Sequence, residues 1–429
     1  LMAILACGPT GSSDRSRLID PGRAGGAGGQ TDGGPPATGQ GGTSGAGGVG
    51  GGGGGPQGGA GGQPGGGGGT NRGGSGGSVS GRGGAGGATN QAGSGGGTDA
   101  ANPVDLPPDV MMAAGCPGVL GHSTQPCADV PTYPGVKLAL VEDFDDPIDL
   151  DKDPIWTYSD GFSDSAQVRY VKSAISFGNG RARISLDKPS AAFPLPPTFA
   201  EATAMQYPAP SPAPITKTSG ELRTKYNNFK YGYYEFRMKP PTNRQGNFIA
   251  SGFVLRTPRW QDWRSITVEL QAAAKLMIVP TNVIVADNQT MWTTEISDAL
   301  DVPVGFDTQA EFHDYGFEWQ PDGVKFYVDR ATNPNPIRTY APGAKLPIPN
   351  KAGKIMMNFW TFPNSLLGGG DMEKNVYPMV LEIEHVRFYK SDREPLYPCA
   401  NPPACLPDED RDYSKNNVTD GIPTTPSGK

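Results

Sequence analysis

Phe312-His313-Asp314-Tyr315-Gly316-Phe317-Glu318-Trp319, followed by Pro321-Asp322-Gly323 and a second run from Val324 to Asp329, decides the fold class. Two runs rich in aromatic and β-branched residues, separated by a turn tripeptide, predict a β-hairpin. The pattern continues outward from there. Tyr233-Tyr234-Glu235-Phe236-Arg237-Met238 alternates, placing Gly232, Tyr234, Phe236 and Met238 on one face. Residues 355–360 and 380–389 read as two further strands, and helical periodicity of useful length is absent. Many short strands with Gly/Pro turns predict an all-β, two-sheet sandwich of the jelly-roll kind.

The rest of the chain is unlike this part. Most of the 64 glycines fall between residues 22 and 97, a block almost without apolar side chains. Such a segment buries too little surface to offset its conformational entropy, so a disordered tether is expected. As a Gly-rich coil of ~90 residues its r.m.s. reach is ~50–55 Å. The glycines do not make a phosphate loop, since no Gly-Lys-Ser/Thr follows them. The organisation expected is a leader remnant at 1–8, a linker at 9–108, a cysteine-bearing lead-in at 109–135, the sandwich at 136–392, and a cysteine-bearing exit with a disordered tail at 393–429.

The net charge of −7, without a Lys/Arg cluster, argues against nucleic acid as a partner. No apolar run is long enough for a membrane-spanning helix. Ile4-Leu5-Ala6-Cys7 resembles a bacterial lipobox, in which the cysteine is lipidated; the competing reading is a chance apolar stub. The first reading predicts an exported, outer-membrane or cell-surface lipoprotein that meets the membrane only through its anchor. Cys116, Cys127, Cys399 and Cys405 allow three pairings, of which the local one, Cys116–Cys127 with Cys399–Cys405, is simplest. Neither pair has the short spacing of a structural zinc site.

Trp263-Arg264-Ser265-Ile266-Thr267-Val268-Glu269-Leu270-Gln271 carries the chemistry. On a strand, Ile266, Val268 and Leu270 share one face, while Trp263, Ser265, Thr267, Glu269 and Gln271 share the other. Glu221 with Arg223, and Asn358 with Trp360, form similar pairs on neighbouring strands. Flat indole rings beside carboxylates and amides suit a sugar cleft, where rings stack on pyranose faces and polar groups meet hydroxyls. An ordinary solvated sheet face is the alternative for any one such strand.

Residues 136–390 resemble glycoside hydrolase family 16, the retaining β-glucanases with a concanavalin-like jelly roll. The resemblance lies in Val141-Glu142-Asp143-Phe144-Asp145-Asp146, in Ser219-Gly220-Glu221-Leu222-Arg223-Thr224-Lys225, in Tyr231 through Lys239, in Phe312 through Trp319 and in Lys354 through Trp360. The family's catalytic strand reads Glu-Ile-Asp-Ile-Glu: nucleophile, helper aspartate and general acid/base. The matching positions here are Ser265, Thr267 and Glu269, so only the acid/base position keeps its carboxylate. Trp263, Glu221, Arg223, Asn358 and Trp360, read above from the strand faces, are the expected substrate-binding residues; no cofactor is expected beyond a structural calcium, which the resemblance allows and whose ligands the sequence does not identify.

A retaining mechanism needs two carboxyl groups about 5–5.5 Å apart, and a serine hydroxyl with no histidine in the motif to activate it supplies no nucleophile. Three readings follow: a monomeric, non-hydrolytic polysaccharide-binding protein, with β-glucan the foremost ligand; an active glycosidase or transglycosylase with a displaced base, for which Asp262, Glu221, Glu295 and Asp371 are candidates; and a non-binding surface scaffold. His313 and His385 read as structural or exposed rather than catalytic.

Overall fold

The computed structural model describes residues 111–162, 168–188, 217–257, 262–287, 294–361 and 370–413. Cys7, the glycine-rich block and residues 189–216, 362–369 and 414–429 lie outside them.

Strands dominate, as the alternation requires; the helical segments among the described residues are three-residue 3-10 turns. One sheet of eight strands runs in the order Arg338–Tyr340, Gly323–Val328, His313–Gln320, Gly232–Lys239, Met379–Ser391, Ala182–Leu186 and Ile175–Phe177, with Val136–Glu142 also paired to Met379–Ser391. A second sheet of seven runs Ser297–Pro303, Ile278–Asp287, Asp262–Gln271, Ile249–Leu255, Lys354–Trp360, Glu221–Thr224 and Trp156–Tyr158. The expected hairpin forms in register, Tyr315 opposite Val328 and Gln320 opposite Gly323.

The core lies between the sheets. Tyr234, Phe236, Phe317 and Phe388 of the first sheet and Ile266, Val268, Leu270, Met357 and Phe359 of the second join one buried cluster. Gly252 marks a close approach of the sheets, because a Cβ there would lie 2.7 Å from the Phe236 ring. The two disulfides take the local pairing.

The lead-in carrying Cys116–Cys127 is bound firmly to the sandwich. His122 bridges Glu142 and Asp153 at 2.6 Å each, and Glu142 also accepts from the Trp156 indole at 2.9 Å. Burial works against charge on His122, but the bonds to Asp153 and Glu142 prevail and raise its pKa to about 10. Farther along, Tyr133 packs edge-on against Tyr233 and Tyr389 on the outer face of the eight-stranded sheet. At the other end of the chain, Arg256 is a buried hub whose guanidinium holds Asp262, Asp410 and the Ala352 carbonyl, fastening the exit segment to the seven-stranded sheet.

Candidate functional site

Gly252, Val268 and Met357 lie opposite one another on three adjacent strands, and the Gly252 position abuts Phe236 of the other sheet. That row faces the interior, so the residues alternating with it face away. Trp263, Ser265, Thr267, Glu269 and Gln271 are therefore on the outer face of the seven-stranded sheet. Glu269 lies opposite Ser251, Ser251 opposite Asn358, and Asn358 opposite Glu221. Arg223 and Trp360 share this face two residues along their strands. The structure thus brings together on one surface every cleft residue expected from the sequence.

The residues are joined to each other. Ser265 Oγ and Thr267 Oγ1 are 3.2 Å apart, and Gln271 Nε2 donates to Glu269 Oε2 at 3.0 Å. Glu221 accepts from Ser159 Oγ at 2.5 Å and from Asn358 Nδ2 at 3.0 Å. Sequence reading missed three neighbours: Ser251 and Phe253 on the strand Ile249–Leu255, and Asn282, which lies opposite Thr267 and accepts from Ser297 Oγ. The alternation in Ile249-Ala250-Ser251-Gly252-Phe253-Val254-Leu255 carried that signal, weakened by the small residues needed for close sheet packing.

The row is closed over. Ser265 is 2 % exposed, Thr267 4 % and Glu269 3 %. Burial pushes the Glu269 carboxyl up to about 8, against the lowering effects of its bond to Gln271 and of the Lys275 charge. At neutral pH it is a protonated acid, the form a leaving-group donor needs. Among the described residues, its neighbours along the same face of the strand are Ser265, Thr267 and Gln271 rather than carboxylates. Ser265 has no histidine: His122 is tied to Glu142 and Asp153, His313 to Asp329, and His385 lies on the other sheet beside Glu235 and Asp314.

The four carboxylates considered as a displaced base all have other engagements or settings. Asp262 sits among Arg256, Arg264 and Lys351. Glu221 is three strands from Glu269 with both oxygens bonded. Glu295 is exposed on the turn Thr294–Ile296, and Asp371 caps the turn Met372–Lys374 through the Glu373 amide. As for metals, the group of His, Asp and Glu side chains placed to hold an ion among the described residues is Glu235, Asp314 and His385, remote from this row. An imidazole in the set suits a transition metal better than calcium.

Two antiparallel sheets packed face to face, with a polar row bearing indoles and carboxyl positions on an outer face, define a concanavalin-like jelly roll of the glycosidase type. Residues 162–375 match the profile of glycosyl hydrolases family 16, and the chain belongs to that family. It is 33% identical over 176 residues to a β-glucanase of Acetivibrio thermocellus, covering 40% of this chain and 46% of that protein. It is 30% identical over 182 residues to a β-glucanase of Paenibacillus polymyxa, covering 42% and 67% respectively. The chain thus spans about half the length of the first of these relatives. Among solved structures it is similar to Bacillus licheniformis β-glucanase, at 24% identity and a TM-score of 0.43, over 60% of this chain and 99% of that one.

Proposed function

We propose that this chain is a polysaccharide-binding member of family 16 that does not hydrolyse its ligand by the retaining route. The observation that carries this reading is Ser265 hydrogen-bonded to Thr267 where a nucleophile and its helper would stand, with Glu269 two residues on as a lone, buried carboxyl. A glycosyl-enzyme needs a carboxylate facing the acid at about 5–5.5 Å. Losing a nucleophile lowers turnover by a factor on the order of 10⁴–10⁶. The β-glucanase relatives support a β-glucan as ligand, and Trp263 and Trp360 supply rings for stacking. Ile4-Leu5-Ala6-Cys7 and the two disulfides support an exported, lipid-anchored protein, since disulfides persist in oxidising compartments.

The test pairs a glycan array and pull-down on mixed-linkage and β-1,3-glucans with reducing-end analysis of the same reactions. Binding without product, weakened by Trp360→Ala, is expected. Product formation that Glu269→Gln abolishes would refute the reading and restore a hydrolase with a displaced base. A second reading, a scaffold that binds no glycan, is favoured by the burial of the row; an array blank at millimolar ligand selects it.

A further inference from the structure

On the outer face of the eight-stranded sheet, Glu235, Asp314 and His385 converge from three adjacent strands. Asp314 and His385 both lie opposite Arg237, and Glu235 is two residues along the same face. A bulge between Ile383 and His385 sets this up, since Ile383 stays opposite Met238 while His385 turns outward opposite Arg237. Bulges re-aim side chains in this way.

His385 is 8 % exposed, yet its Nε2 has no hydrogen-bond partner, and neither does the buried Asp314 Oδ1. The two atoms are 3.2 Å apart, and Nε2 is 3.4 Å from Glu235 Oε1. Ligands at ~2.0–2.1 Å around a tetrahedral zinc lie about 3.3–3.4 Å from one another, so both edges already have the length a metal requires. All three ligand atoms are within 4.8 Å of one another. The remaining edge closes by rotation of Asp314, whose side chain is 21 % exposed and gives water and ions a way in.

We propose that Glu235 Oε1, Asp314 Oδ1 and His385 Nε2 form a binding site for a divalent transition-metal ion of the zinc type, which pins three strands of the sheet beneath the disulfide-bearing lead-in. The outer shell is in place. Tyr133 donates to Glu235 Oε2 at 2.8 Å, and Arg237 lies 3.5 Å from Asp314 Oδ2, so each carboxylate is oriented through its other oxygen. Arg387, 3.4 Å from Glu235 Oε1, also has Gln125 at 3.3 Å and Asp143 at 3.8 Å; Arg237 has Glu384 at 2.8 Å. Both guanidinium groups keep partners when the carboxylates turn to a metal. Metal binding needs a neutral imidazole and ionised carboxylates, so protons compete with the metal for this position.

The experiment uses the 429-residue chain carrying Cys7→Ser, stripped with EDTA and titrated with zinc chloride by calorimetry, with metal content measured by mass spectrometry. One zinc per chain is expected, weaker as pH falls, with Tm raised by roughly 5 °C at a hundredfold excess over Kd. Cobalt in place of zinc should give a visible band of tetrahedral intensity. His385→Gln and Asp314→Asn should each weaken binding at least tenfold, since losing even an outer-shell partner of a ligand costs about 10–100-fold, while His122→Gln and His313→Gln leave it unchanged. No stoichiometric zinc on the unsubstituted site overturns the proposal. So does binding that survives His385→Gln, or that His122→Gln alone removes.

Discussion

Replacing Glu269 with glutamine tests the environment of the buried carboxyl in the row of Ser265, Thr267 and Glu269. Burial shifts this group from its ordinary value of 4.5 to about 8. Each unit corresponds to about 1.4 kcal/mol, so the full shift is worth about 5 kcal/mol. The sign follows from linkage. Between pH 4.5 and 8 the folded chain keeps the proton that the unfolded chain has lost, so the folded state binds more protons and stability falls as pH rises. Glu269→Gln removes that dependence while its amide oxygen still accepts from Gln271. Urea unfolding followed by the fluorescence of buried Trp156, Trp263 and Trp319 should give matching stabilities near pH 4.5. The variant should then gain on the parent by about 3–5 kcal/mol by pH 9, a large part of the ~5–15 kcal/mol available to a domain. His122, with its pKa raised to about 10, loses its own contribution as pH rises from 6.5. It does so in both proteins and cancels in the difference. A difference that stays constant from pH 4.5 to 9 would refute the closed, desolvated site.

Gly252→Ala should lower stability by about 1–3 kcal/mol, because the new methyl meets the Phe236 ring at 2.7 Å and the sheets must part; an unchanged urea midpoint would show that the approach is looser than described. Arg256→Met removes the cation from Asp410, which is 2 % exposed, while Asp262 keeps Arg264 and Lys351. A loss of about 3–5 kcal/mol is expected, partly recovered by adding Asp410→Asn. If the double variant is no more stable than the single one, the hub does not act through Asp410.

The hairpin at 313–328, the alternation at 232–239 and the shared face of Ser265, Thr267 and Glu269 were legible because periodicity and turn residues are local properties of the chain. Strand ends moved by a residue or two, with 380–389 becoming Met379–Ser391. The pairing of Cys116 with Cys127 was legible as the simplest of three. What stayed hidden depends on contacts between distant positions. Nothing near His385 in the sequence announces Glu235 and Asp314, 150 and 71 residues away, and a bulge that reverses the alternation disguises which way His385 points. Asp262 reads as a candidate base until folding surrounds it with Arg256, Arg264 and Lys351. Burial of the polar row was equally invisible, since alternation tells which residues share a face but not whether water reaches them.

That burial bears on what the row can do. A catalytic face directs its polar atoms outward, to where charge will develop on a substrate. Here bonds run sideways, Ser265 to Thr267, Gln271 to Glu269, Asn358 and Ser159 to Glu221, and Ser297 to Asn282. A sugar hydroxyl that meets Ser265, Gln271 or Glu221 must exchange for one of those bonds, so the net gain per such contact is about 0.5–1.5 kcal/mol. Asn358 Oδ1, which has no hydrogen-bond partner among the described residues, accepts without exchange. Stacking on Trp263 and Trp360 must then supply most of the affinity, and the row must be uncovered before either ring is reached. A ligand that binds under these constraints is a long chain making many weak contacts, and affinity should climb with the number of sugar units. An oligosaccharide series checks this: equal affinity for a disaccharide and a hexasaccharide would show that the row is not the surface they bind.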